Sequence, residues 1–134
     1  MQDVDVNFVA VIVAAIVPMF LGALWYSPAL FARPWMQAVG RTKEELGGMG
    51  FGYVISGIGA LLSSYALARI DRWAEVDTLW NGGLVGLLAW LGFVAPVLAV
   101  TTYFGGRPVK LWWINAGYQL LALVVVGAVN GAWT

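Results

Sequence analysis

Four stretches of this chain contain no charged side chain, and they decide what it can fold into. Residues 6–32, 46–68, 78–106 and 111–134 lack Asp, Glu, Lys, Arg and His, over 27, 23, 29 and 24 residues. A helix crosses the hydrocarbon of a bilayer with about 20 apolar residues. Each run is long enough, and together they leave little of the 134 residues outside. Charged residues make up 10% of the chain. A soluble domain carries about 25%, and a small one has too much surface to cover with so few. The runs therefore predict an all-α fold, an integral membrane bundle of four transmembrane helices in one domain. The spans fall at about 6–26, 49–68, 79–103 and 109–133.

Composition also narrows function. There is no cysteine, which excludes thiol nucleophiles, disulfides and cysteine-based metal sites. There is no histidine, the commonest transition-metal ligand and the usual proton shuttle. Net charge is zero and no basic run exists, so nucleic acid has no electrostatic footprint to bind. No base stands near a Ser or Tyr to activate it. The expectation is a protein with no catalytic residue, no metal and no cofactor. The start, Met1-Gln2-Asp3-Val4-Asp5, is acidic where a secretory signal is basic. The first apolar run reads as a retained span.

Between the first two spans, Ala29 to Met36 mixes aromatic, aliphatic and one cationic residue, which suits an interfacial segment. Thr42-Lys43-Glu44-Glu45 carries a capping-box pattern, and Gly47, Gly48, Gly50 and Gly52 make a hinge into span two. Pro18 and Pro96 lie inside spans one and three. Arg33, Arg41, Lys43, Arg107 and Lys110 flank one membrane face, against Arg69 and Arg72 on the other. The positive-inside rule then places both termini outside. Trp25, Trp35, Trp112 and Trp113 at one set of span ends, and Trp73, Trp80 and Trp133 at the other, read as interfacial anchors.

Small residues recur every fourth position along span two, at Gly48, Gly52, Ser56, Ala60, Ser64 and Ala68. Such a ridge lets helix backbones approach closely in lipid. It packs either inside the monomer or between subunits, so a homo-oligomer or a membrane-protein partner is expected alongside lipid. Gly82 and Gly86, and Gly127 and Gly131, repeat the spacing more briefly. Polar groups at membrane depth are few. Asn115 and Gln119 share one face of span four with Tyr118 beside them, and Asn130 lies near the far end. These are either ligand contacts or interhelical hydrogen bonds. Trp90 with Pro96 marks either a cavity-lining bend or packed aromatic surface. Arg33 and Arg107 are candidate contacts for lipid phosphate or another anion at the cytoplasmic face.

Proton-coupled transporters normally keep an intramembrane acid or histidine. Small four-span multidrug exporters match this chain in size, but the carboxylate they use in span one is missing here. Gly22-x-x-Trp25-Tyr26-Ser27-Pro28, followed by Phe31, Trp35, Gly40 and Glu44-Glu45, resembles the opening of a family catalogued as domain of unknown function 1761. Trp90-Leu91-Gly92-Phe93-x-x-Pro96, Phe104-x-x-Arg107-Pro108, Asn115-x-Gly117-Tyr118 and Gly127 resemble its second half. The resemblance implies a four-span, mostly bacterial protein of the cytoplasmic membrane, with no stated activity. Two functional readings lead, ahead of a third, an intramembrane enzyme. One is a non-catalytic protein that binds lipid or a membrane partner and acts through assembly. The other is a facilitator for a small neutral or hydrophobic solute, with spans three and four lining the path.

Overall fold

The computed structural model describes residues 5–26, 32–39 and 50–133. Among these residues six α-helices follow in chain order: α1 (Phe8–Trp25), α2 (Ala32–Val39), α3 (Gly50–Trp73), α4 (Leu79–Ala89), α5 (Ala95–Phe104) and α6 (Val109–Ala132). A five-residue π turn, Trp90–Val94, joins α4 to α5. α1, α3, the continuous stretch Leu79–Phe104 and α6 are each long and apolar enough to cross a membrane. This is a multi-pass membrane bundle.

Local chemistry sets the helix ends. The Asn7 side chain accepts from the Val9 and Ala10 amides and starts α1. Thr78 accepts from the Asn81 amide and starts α4. Both satisfy amide groups that a helix cannot pair internally. α3 runs past the last charge-free residue, Ala68, and takes Arg69, Asp71 and Arg72 into its final turns. It then stops in a turn where Val76 N donates to Asp71 O and Glu75 N to Arg72 O. Glu75 occupies the left-handed region there, at φ 57°. α5 ends the same way: Arg107 N donates to Thr102 O and Gly106 N to Tyr103 O, with Gly106 at φ 69°. Pro96 has no amide to pair with Gly92, and Ala95 N reaches five residues back to Trp90 O. The π turn absorbs that missing bond.

α6 is the hub, in contact with every other element. It meets α4 most closely. A Cβ on Gly82 would fall on the Gly127 carbonyl, and one on Gly86 on the Leu123 carbonyl. A Cβ on Gly131 would lie 2.8 Å from Thr78 O and 2.9 Å from Gly82 Cα. Backbones thus touch where neither helix carries a side chain, which is how helices associate in lipid. The apolar core behind this contact is Ala14, Leu67, Leu123 and Val126, with Trp90, Val94 and Val129 against it. Phe20, Leu88 and Phe93 point outward and are 69–79% exposed. In water that surface would aggregate; against acyl chains it is expected.

α2 supplies the interfacial segment, and its Trp35 meets Tyr26 edge to face. The Thr42–Glu45 capping box and Gly47 and Gly48 of the hinge lie outside the described residues, while Gly50 already begins α3.

Candidate functional site

α1, α3 and α6 splay apart near mid-span and leave a cleft with two adjoining chambers. One, of about 210 Å³, is lined by Ser56, Gly59, Ala60 and Ser63 of α3 and by Tyr118 and Gln119 of α6. The other, of about 300 Å³, reaches Met19, Gly22 and Tyr26 on the α1 side. Pro18, Ser56, Ala60 and Tyr118 border both. Small residues on α3 make the space. A Cβ on Gly59 would meet nothing within 4 Å.

Tyrosines fix one wall. Tyr118 Oη donates to the Pro18 carbonyl at 2.7 Å. Tyr26 Oη donates to Asn115 Oδ1 at 2.7 Å, and the two tyrosine rings meet edge to face 5.6 Å apart. Gln119 faces the cleft and has no hydrogen-bond partner among the described residues. An amide at membrane depth offers two donors and an acceptor, and a partner from outside the chain would satisfy them.

The sequence candidates are therefore divided. Tyr118 and Gln119 line the cleft, while Asn115 is engaged by Tyr26. Trp90 does not border it. Its indole donates to Ala116 O at 2.8 Å and its ring packs on the core. The cleft borders spans one, two and four, whereas the expectation put spans three and four along a path; the glycine contact closes α4 onto α6. The small-residue ridge is also divided. Ser64 and Ala68 are buried inside the chain, Ser56 and Ala60 border the cleft, and the Gly52 environment lies outside the described residues. Arg33 and Arg107 are both exposed, on α2 and in the turn before α6.

Tryptophans do more than anchor. The Trp25 indole donates to Ile114 O at 2.9 Å and the Trp112 indole to Ala95 O at 2.9 Å. With Trp90, they stitch neighbouring spans to one another through main-chain acceptors. Trp80 and Trp113 are 80% and 67% exposed and keep the anchoring geometry.

Residues 9–131 match the family described as Protein of unknown function (DUF1761). The chain belongs to that family. No curated protein and no solved structure matches it. The DUF1761 match starts within α1 and ends within α6, so every residue lining the cleft falls inside it.

Two further polar groups lie beyond the cleft. Ser64 Oγ donates to Val11 O at 2.8 Å, and Asn130 Nδ2 donates to Ser64 Oγ at 3.1 Å. This buried pair ties α1, α3 and α6 together. Asp71, one further stretch along α3, is fully buried. The spans expected at about 49–68 and 79–103 leave it in the connector between them, where Arg69, Asp71 and Arg72 look like a solvated turn. The usable signal was spacing: Ser64, Leu67, Ala68 and Asp71 share one helix face.

Proposed function

We propose that the protein is a non-catalytic membrane protein that binds an uncharged, lipid-like amphiphile in the cleft between α1, α3 and α6. The observation that carries this reading is the Gln119 amide facing the cleft without a partner among the described residues. The cleft lining includes no Asp, Glu, Lys or Arg. An ionised head group would enter it without an opposite charge, which is costly in a low-dielectric place. A hydroxyl or neutral carbonyl head, with its apolar tail among Met19, Ala60 and Leu123, suits the lining better. Burial of Ser64 and Ala68 uses up two of the six positions of the small-residue ridge within the chain, which favours ligand binding over assembly through that face.

Native mass spectrometry of the protein released from lipid nanodiscs tests this. The expected result is a discrete retained amphiphile, lost in Gly59→Leu and reduced in Gln119→Leu. Gly59 is chosen because the space beside it accepts a side chain without touching the bundle. If wild type and Gly59→Leu carry the same lipids, the cleft is not the binding site. The same spectra read subunit number and so test assembly with further copies.

A second reading, facilitated passage of a neutral solute, is favoured by the buried Ser64–Asn130 pair, one helical turn along α3 and α6 from the cleft-lining Ala60 and Val126. It predicts solute flux into proteoliposomes that Gln119→Leu and Gly59→Leu both abolish.

A further inference from the structure

Asp71 has 0% exposure, and neither carboxyl oxygen has a hydrogen-bond partner among the described residues. Its surroundings are well defined among the described residues. On its own helix, Arg72 is adjacent, and Arg69 turns away to the Tyr65 hydroxyl and the Trp73 ring. α6 brings the Asn130 main chain to Arg72 and no charge. Asp5, ahead of α1, and Glu75 and Asp77, in the connector before α4, are all exposed.

A carboxylate taken out of water needs a donor, a cation or a proton, because alone it is among the costliest groups to bury. The nearest donor is committed elsewhere. Arg72 Nη2 donates to Val76 O at 3.1 Å and to Asn130 O at 3.0 Å, pinning the connector to the end of α6. A metal ion fits poorly. It would want several oxygens, no group of three acidic ligands exists among the described residues, and the Arg72 charge repels it. A proton remains.

We propose that Asp71 is a proton-binding site, exchanging its proton with water when the connector at residues 74–78 lifts from the end of α6. The connector is suited to lifting. It is held by the Arg72 hydrogen bonds and by a turn that places Glu75 in the left-handed region, where a side chain is strained. Lifting frees the guanidinium from the Val76 and Asn130 carbonyls, and it can then pair with the ionised Asp71. The step is a proton transfer between carboxyl and water and needs no other reactant. It does not depend on the cleft or on what the cleft binds.

Infrared difference spectroscopy of the full chain in lipid, across a pH series, tests the proposal. A carbonyl band from a neutral carboxyl should be present at mildly acidic pH, vanish through one midpoint as pH rises, and be missing from Asp71→Asn. Arg72→Gln removes the partner of the ionised form and should move that midpoint up by about one pH unit. A merely structural Arg72 would leave it unmoved. The proposal is overturned if wild type shows no such band, or if the band persists in Asp71→Asn. Should Asp71→Asn not fold, the wild-type band and the Arg72→Gln shift decide between the same outcomes.

Discussion

The Tyr118 hydroxyl donates to the Pro18 carbonyl and holds the cleft wall against α1. Tyr118→Phe keeps the ring and removes only that bond. The expected cost is about 1 kcal/mol, read as a lower thermal midpoint in detergent; an unchanged midpoint would mean that the bond does not hold the wall. Glu75 offers a test of the opposite sign. A non-glycine residue in the left-handed region costs about 1–2 kcal/mol, and part of that is recovered by the greater freedom of glycine when unfolded. Glu75→Gly should therefore stabilise the bundle by about 0.5–1 kcal/mol. The corresponding turn after α5 already has glycine, Gly106. If Glu75→Gly destabilises instead, its carboxyl has a role that the turn geometry does not show. At this scale Tyr118 and Gln119 were readable in sequence as polar groups within an apolar run. Asp71 was not, because two arginines beside it give the signature of a solvated loop, and only the course of α3 past Ala68 turns it inward.

Helix pairing follows matched gaps rather than the longest motif. The six-position ridge of span two is the more conspicuous pattern, yet the closest backbone contact joins Gly82 and Gly86 to Gly127 and Gly131. Close approach in lipid needs small residues on both partners at the same level, and a single sequence shows each helix but not which level faces which. The contrast predicts unequal alanine variants. Gly82→Ala must push α4 off the Gly127 carbonyl and should cost several kcal/mol, as overpacking against backbone does. Gly92→Ala meets nothing within 4 Å and should be neutral, or stabilising by up to about 1 kcal/mol through lost chain freedom. Unfolding midpoints of the two variants, measured side by side, check this; equal losses would contradict the contact. The interfacial α2 was legible from its mixed composition. The π turn at Trp90–Val94 was legible only as Pro96, since the missing amide says that a helix must adjust but not how.

For the molecule as a whole, four charge-free runs were enough to reveal four spans, because the cost of placing charge in hydrocarbon leaves few alternatives. Which spans open to form a cleft was hidden, since it depends on the α4–α6 contact. The helix ends bring the start of α1, the connector after α3 and the end of α6 to one side: Phe8 stacks on Tyr65, and Arg72 reaches Asn130. The basic residues, five against two, predict that this side faces outward. A reporter active only in the cytoplasm, fused after Thr134, should be silent, and activity there would invert the whole bundle. The central place of α6 has a consequence for synthesis. Its acceptors are the ones that Trp25, Tyr26, Arg72 and Trp90 reach with their side chains. A ribosome delivers this helix after α1 to α5. Before its 24 residues emerge, α1 and α3 can already meet through Ser64 Oγ on Val11 O and Phe8 on Tyr65, but the side chains that reach α6 still lack those acceptors. The α1–α3 pair can therefore form early, while the contacts that close the bundle wait for α6.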